Sequence, residues 1–274
     1  MTVLPLPYDM GNAGDFIKHG MLAEFTRWWL ASSNGDFVLV DPFGGRPFVE
    51  PPHPAVTRRL AQLPDCALTV AQPHCRFRYY GSGNVVRHIA QDLGRQASVL
   101  VSDRDPAALA ALLQHGFHKL QCRGFDRGDS FSIVGRNVAP NLQPTSLVLI
   151  DPYDDFLPDY SATHTSGIAS LVTTRGIPVL LFVLCRDGNS GAAVRWHQLR
   201  DLYFTGKVKQ LALTCSNMPH SNVKGERNYH VQSLLLLPAG VDENRLAALI
   251  SRLECYSNYL STVLDQPVSL DYKH

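Results

Sequence analysis

Two short apolar runs in this sequence end in the same way, and they constrain the fold more than any other feature. Residues 147–150 are Leu-Val-Leu-Ile, and Asp151-Pro152-Tyr153 follows them. Residues 37–40 are Phe-Val-Leu-Val, and Asp41-Pro42-Phe43 follows them. Such runs predict strands buried on both faces, and the proline ends each ladder because it has no N–H. Each carboxylate therefore stands at the carboxyl end of its strand, where open α/β sheets bind ligands.

The remaining sequence alternates between helix-like and strand-like segments. The patterns predict helices over 15–31, 54–63, 84–94, 106–115, 162–174, 190–204 and 242–258. They predict strands over 37–41, 98–102, 118–122, 147–150, 178–184, 208–215 and 230–237. This alternation indicates a mostly parallel, doubly wound α/β sheet, and the last two strands, with no helix between them, predict an antiparallel hairpin at one edge. We expect one domain over 1–274, with a small insertion at about 46–78.

The composition limits the classes of protein to which this chain could belong. The 274 residues are 45% hydrophobic and carry a net charge of +1, so any nucleic-acid contact must come from a local patch. None of the six cysteines forms a C-x-x-C pair, and His74-Cys75 has no second ligand pair, so we expect reduced thiols and no metal site. No stretch resembles a signal peptide or a membrane span, so we expect a soluble, cytoplasmic protein.

Several strand ends and loops are candidate binding sites, each with an ordinary structural alternative. Gly44-Gly45 suits a nucleotide loop, but without a G-x-G-x-x-G pattern an ordinary turn is at least as plausible. Asp103 could hold a ribose or cap the next helix, although Asp105 is better placed for the cap. Asp129-Ser130 could lie beside an adenine ring, and a helix cap is the alternative. Lys18-His19 by itself says little.

A basic cluster in the last third of the chain is interleaved with aromatic residues. It could track a nucleic-acid backbone, or it could be a solvated helix face with a hairpin loop. Its members are Arg195, Trp196, His197, Arg200, Tyr203, Lys207, Lys209, Lys224, Arg227 and Tyr229.

Taken in order, these motifs resemble the RlmJ-type 23S rRNA adenine-N6 methyltransferases, which use S-adenosylmethionine. The matching motifs are Gly11-Asn12-x-x-Asp15-x-x-Lys18-His19, the Asp41 loop, Arg78-Tyr79-Tyr80, the Asp103 strand end, Asp129-Ser130-Phe131, Leu149-Ile150-Asp151-Pro152, Asp159-Tyr160 and Lys224-Gly225. The resemblance covers nearly the whole chain and implies a Rossmann-like class I methyltransferase fold.

The resemblance also implies roles for individual residues. Asp151 is the catalytic acid, and Asn12, Pro152 and Tyr153 contact the substrate adenine. The implied cofactor-binding residues are Lys18, His19, Asp41, Phe43, Gly44, Gly45, Gly83, Asp103, Asp129 and Ser130. We expect an RNA partner, no membrane and a monomer.

The sequence departs from the family pattern at several of these positions. Asp151-Pro152-Tyr153-Asp154 replaces Asp-Pro-Pro-Tyr, and Phe43 and Gly83 replace a histidine and a serine. Leu4 and Leu6 stand where the family has an aromatic residue and a histidine linked to RNA contact. Two hypotheses follow: an active RNA adenine methyltransferase, or a non-catalytic relative that binds cofactor or nucleic acid. The missing glycine fingerprints disfavour a nucleotide-dependent hydrolase or dehydrogenase.

Overall fold

The computed structural model describes residues 10–103, 105–120, 145–151, 162–186, 208–219 and 228–273. Its strands are β1 Phe37–Asp41, β2 Phe48–Val49, β3 Tyr79–Tyr80, β4 Ala97–Val101, β5 His118–Lys119, β6 Leu147–Ile150, β7 Val179–Arg186, β8 Val208–Pro219, β9 Asn228–Pro238 and β10 Val268–Lys273. Its helices are α1 Ala13–Ser32, α2 Pro54–Leu60, α3 Ala67–Ala71, α4 Ser82–Asp92, α5 Pro106–Gln114, α6 Ala162–Thr173 and α7 Glu243–Leu264.

The main sheet has eight strands in the order β10-β8-β9-β7-β6-β1-β4-β5. Strands β5, β4, β1, β6 and β7 are parallel, and β9 runs antiparallel between β7 and β8. This is the arrangement of the Rossmann-like class I methyltransferase fold, as the sequence predicted. The order reverses between β1 and β6, so that the ends of these two strands flank the crevice where such sheets bind ligands. Asp41 and Asp151 occupy those two ends.

The predicted elements are confirmed with small changes of boundary wherever the structure describes them. The predicted hairpin is present as β8 and β9, and the unpredicted strand β10 pairs with β8 to form the sheet edge. Helix α3 and the two-stranded ribbon of β2 and β3 were also not predicted. The predicted helix 190–204 lies outside the described residues.

Helix α1 is buried on almost all sides, because it packs against the sheet and against α3, α4 and α7. The side chain of Asn12 caps it, its Oδ1 accepting a hydrogen bond from the Asp15 N–H at 2.9 Å. Gly20 permits the closest approach, since a β-carbon there would lie 2.0 Å from the ring of Tyr256. The Tyr256 hydroxyl donates to the Phe16 carbonyl at 2.7 Å and joins α7 to α1. This packing holds the first turns of α1 rigidly beside the crevice.

Candidate functional site

A cavity of about 650 Å³ opens at the carboxyl ends of β1, β4 and β6, between the start of α1 and the ribbon. Its size falls within the range of small-molecule and cofactor pockets. Eight of the predicted site residues line it: Asn12, Lys18, His19, Phe43, Gly44, Gly45, Asp103 and Asp151. The tertiary structure therefore brings together residues that are as far apart as 139 positions in sequence, from Asn12 to Asp151.

Lys18 bridges two carboxylates at the floor of this cavity. Its Nζ lies 2.8 Å from Asp15 Oδ1 and 2.5 Å from Asp151 Oδ2, and the lysine is only 7% exposed. Burial lowers the pKa of Lys18, but the charges of Asp15 and Asp151 outweigh it, and the pKa is raised above its usual value. Burial likewise raises the pKa of Asp151 despite the opposing charge of Lys18. The Lys18 ammonium thus opposes the effect of burial on the Asp151 pKa and fixes the position of the carboxylate through its hydrogen bond to Oδ2.

Asp15 is the other anchor of this bridge. Its Oδ2 accepts a hydrogen bond from the Gly11 N–H at 2.6 Å. Burial acts to raise its pKa, but the charge and hydrogen bond of Lys18 and the hydrogen bond from the Gly11 N–H bring the pKa below the usual value. Asp15 is therefore a permanent anion that holds Lys18 in place, a role that the sequence motif did not reveal.

His19 is a neutral hydrogen-bonding group in this site. Its two ring nitrogens lie 2.9 Å from the Tyr79 hydroxyl and 3.2 Å from Ser82 Oγ. Burial, followed by the nearby charge of Lys18, lowers the pKa of His19 to about 3. Protonation of the imidazole at neutral pH is excluded by this environment, so His19 positions its neighbours and does not supply a charge.

The loop after β1 is tied to the end of β4 by backbone hydrogen bonds. The Gly44 N–H donates to the Ser102 carbonyl at 2.9 Å, and the Gly45 N–H donates to Asp103 Oδ2 at 2.8 Å. A β-carbon on Gly44 would lie 2.7 Å from a methyl group of Leu112, and Gly45 has φ of +63°. Both positions thus favour glycine, as a nucleotide loop and an ordinary tight turn both do, so the loop hypothesis stays a prediction.

The two readings of Asp103 are separated by the structure. Asp105 is the cap of α5, because its carboxylate accepts the Ala107 N–H at 2.9 Å. Asp103 instead accepts the Asp105 N–H through Oδ1, and its side chain lies on the cavity wall. Asp103 therefore lies at the end of the strand beside β1 without capping α5, and its ribose contact stays a prediction.

Asp41 does not line the cavity, contrary to the predicted cofactor contact. It is 2% exposed, and its Oδ1 accepts the Phe43 N–H at 3.1 Å beneath the glycine loop. Burial and then the charge of Asp151 raise its pKa to about 7. The residue supports the loop from below, because the turn after β1 folds back over the carboxylate.

Gly83 is likewise displaced from its predicted place near the cofactor. Its α-carbon faces the core, where an added β-carbon would lie 2.8 Å from the ring of Phe117. Gly81 and Ser82, at the N-terminus of α4, line the cavity instead. Arg46 also lines it and was not predicted. The sequence feature that could have identified Ser82 as a site residue is its position in the first turn of a helix that follows a strand.

Other sequence candidates are only partly visible. Asp129, Ser130, Pro152 and Tyr153 lie outside the described residues, as does most of the basic cluster. Its described member Lys209 is buried and pairs with Glu243, which removes it from a phosphate-tracking surface.

Within the described ranges, no group of three or more histidine, cysteine or acidic residues could hold a metal ion. None of the described helices is long and apolar enough to cross a membrane.

Comparison with known proteins supports the fold. No family model matches the chain, and no curated protein matches its sequence. A Legionella pneumophila protein assigned to the family model DUF519 superposes with a TM-score of 0.60 at 14% identity, covering 97% of this chain and 98% of its own. A probable spermidine synthase from Corynebacterium glutamicum reaches a TM-score of 0.44 at 13% identity over 92% of this chain and 73% of its own. The TM-score of the first similarity shows a shared fold. The TM-score of the second is too low to support an argument.

Proposed function

We propose that this protein is an S-adenosylmethionine-dependent methyltransferase that acts on the N6 amine of adenine in RNA, with 23S rRNA as the substrate implied by the resemblance. The observation that carries the proposal is the position of Asp151. Its carboxylate stands at the end of β6, at the reversal point of the sheet, and faces the same cavity as the Gly44-Gly45 loop and Asp103.

The cavity wall fits the chemical groups of this cofactor. Asp103 presents a carboxylate to a ribose, and the glycine loop gives a ligand close access to the backbone. Ser82 at the N-terminus of α4 adds a hydroxyl, and this end of a helix favours a carboxylate ligand. Phe43 offers an apolar face to the ligand. The bound cofactor would supply an activated methyl group on a sulfonium.

Asp151 would bind the adenine amine. This amine is a weak nucleophile, because its lone pair is delocalised into the ring. Among the described residues, Lys18 alone donates to the Asp151 carboxylate, and Oδ2 accepts this hydrogen bond from its Nζ. Oδ1 is then available to accept an N–H of the amine, and we expect the Pro152 carbonyl to accept the other. These two bonds would orient the nitrogen and favour its rehybridisation, so that catalysis consists of positioning and electrostatics.

The test separates cofactor binding from transfer. Calorimetry measures binding of S-adenosylmethionine, and incorporation of labelled methyl groups into 23S rRNA fragments measures activity. Asp151→Asn should bind cofactor within about twofold of the unmodified protein yet lose about 100-fold or more in transfer. The matched control is Asp271→Asn on the exposed edge strand β10, which should change neither. Absence of cofactor binding by the unmodified protein would refute the proposal.

A second candidate function is a non-catalytic module that binds cofactor or RNA. Two observations favour it: Lys18 already occupies one oxygen of Asp151, and Asp154 stands where the family has an aromatic ring. In that case the same experiments would give cofactor binding with no transfer to any adenine-containing RNA. Lys18→Met would then leave transfer at zero.

A further inference from the structure

Positive charge is concentrated in the segment that leads from the glycine loop into α4. Residues 46–88 contain six arginines and two acids, a net charge of +4, whereas the whole chain carries +1. The remaining residues therefore have a net charge of −3. The arginines are Arg46, Arg58, Arg59, Arg76, Arg78 and Arg87. A nearly neutral protein needs such a local concentration of basic residues in order to bind a polyanion.

The arginines of this segment lie among aromatic rings. The guanidinium carbon of Arg78 lies 4.4 Å from the centre of the Phe48 ring, and the Phe48 ring contacts His115 at 5.6 Å between centroids. The guanidinium carbon of Arg87 lies 4.1 Å from the ring centre of Phe117. These contacts fix the arginines in place, so less side-chain freedom is lost when a ligand binds.

Phe77 is the most exposed large apolar side chain in the described part of the chain, at 70%. It stands between Arg76 and Arg78 in sequence. Arg46 and Arg76 are exposed, and no described carboxylate lies within ion-pairing distance of either. Arg78 does pair with Glu50, at 2.7 Å between Nε and Oε2. Exposed Arg76 beside the exposed Phe77 ring, with half-buried Arg78 on its other side, matches the chemistry of a single-stranded nucleic acid, whose phosphates pair with cations and whose bases stack.

The concentrated positive charge also affects His115. Burial lowers its pKa, and the positive charges of Arg87 and Arg78 lower it further. The same holds for His88, where burial comes first and His74 and Arg87 add to it. An anion bound here would relieve this repulsion and raise both pKa values.

This surface continues into the cavity. Arg46 lines the cavity and is also exposed, and Val49 and Gly81 carry the cavity wall along the ribbon. Neighbouring residues of a strand face opposite sides, so Phe48 faces outward to Arg78 while Val49 faces the cavity. A strand of nucleic acid on the outer face would therefore pass the rim of the cavity at Arg46.

We propose that the arginine–aromatic surface, defined by Arg46, Phe48, Arg76, Phe77, Arg78 and His115, binds the single-stranded RNA that flanks the target nucleotide. Arg76 and Arg78 contact phosphates, and a base stacks on Phe77. This inference rests on the proposed function for the identity of the RNA. It assigns substrate contact to the insertion, at described residues separate from the basic cluster of the last third of the chain.

The test is binding of a fluorescently labelled single-stranded RNA of about 12 nucleotides, followed by anisotropy between about 50 and 200 mM salt. Arg76→Gln should reduce the slope of log affinity against log salt by about 0.7 and weaken binding about fivefold near 0.1 M salt. Phe77→Ala should weaken binding about tenfold with little change of slope. Arg27→Gln on α1, where the partner carboxylate of Asp92 is itself exposed to water, is the control and should change neither quantity.

The outcomes distinguish this inference from the proposed function. Calorimetric binding of S-adenosylmethionine should be the same in Arg76→Gln, Phe77→Ala and the unmodified protein. If cofactor binds normally and both variants bind RNA as tightly as the control does, the surface is refuted and the proposed function stands. If no cofactor binds but the variants still weaken RNA binding, the surface is supported and the proposed function fails. Equal affinity for a duplex of the same sequence would overturn the assignment to single strands.

Discussion

Replacement of Lys18 by methionine is the sharpest test of the buried charge bridge. Methionine has a similar length and fills the same space, but it leaves Asp15 and Asp151 without their shared cation. Asp15 is 7% exposed, and the side chain of Asp151 is 18% exposed, so water compensates little. Removing one member of a buried ion pair costs about 3–5 kcal/mol, because an uncompensated buried charge remains.

This cost can be converted into a shift of the melting temperature. The entropy of unfolding is about 2.1 cal/mol/K per residue, which gives about 0.6 kcal/mol/K for a chain of this length. A loss of about 4 kcal/mol therefore lowers the melting temperature of Lys18→Met by about 7 °C. Asp15→Asn in the same protein removes one of the two orphaned charges, and we expect it to recover about half of the loss.

The pH dependence has a definite sign. Without Lys18, burial raises the pKa of Asp15 and of Asp151 above the values in the unfolded chain. The folded variant then binds protons more tightly than the unfolded one, so its stability falls as pH rises. In the unmodified protein the pKa of Asp15 is lowered, and its contribution to stability is lost as pH falls. The deficit of the variant should therefore be largest near pH 8 and shrink towards pH 4.

Thermal and denaturant unfolding at pH 8 and pH 5 measure these differences, with Lys209→Met as the matched control. Lys209 is also 7% exposed, but its partner Glu243 has a side chain that is 66% exposed and regains water when the lysine is lost. We expect a cost of about 1 kcal/mol for the control, with little dependence on pH. Equal losses in the two variants, or a Lys18→Met deficit that is the same at both pH values, would refute the argument.

Three further predictions concern the loop and the packing around it. Burial raises the pKa of Asp41 to about 7, so the folded state loses stability as pH rises from about 4 to 7. Asp41→Asn should therefore be more stable than the unmodified protein at pH 8 by up to about 4 kcal/mol. Denaturant unfolding should show no gain near pH 4. Gly20→Ala should lower stability by about 3 kcal/mol or more, because its β-carbon would overlap the Tyr256 ring, and an unchanged melting temperature would contradict this packing. Asp103→Ala should weaken cofactor binding about tenfold or more, because it removes the acceptor of the Gly45 N–H and the predicted ribose ligand. Calorimetry measures this affinity, and an unchanged value would show that Asp103 is not part of the cofactor site.

The strand ends were the part of the site that sequence could predict. Asp151 and the glycine loop lie where a parallel sheet must place them, because apolar runs and prolines set where strands end. The choice between ribose acid and helix cap at Asp103 was not available from sequence, since Asp103 and Asp105 are two positions apart and both precede a helix. The hydrogen bond from the Ala107 N–H to Asp105 shows that Asp105 is the cap, and the ribose role of Asp103 stays a prediction.

The errors have a common physical origin. Gly83 and Asp41 were placed in the site by their position in motifs, but a motif does not specify which way a side chain or an α-carbon points. The first turn of α4 directs Ser82 to the cavity and Gly83 to Phe117. The fold of the loop after β1 covers Asp41. Strand β10 was missed because its register with β8 is a long-range pairing with no local pattern.

The sequence by itself determined the class of the fold, because strand-like and helix-like periodicities alternate along it and two apolar runs stop at an aspartate followed by a proline. It also determined the residue types at the crevice. Only the tertiary structure decided that Lys18 closes a bridge between Asp15 and Asp151, that His19 is neutral, and that Arg78 and Arg87 lie over the rings of Phe48 and Phe117. Those properties depend on distance and burial, and both are created when segments far apart in the chain pack together.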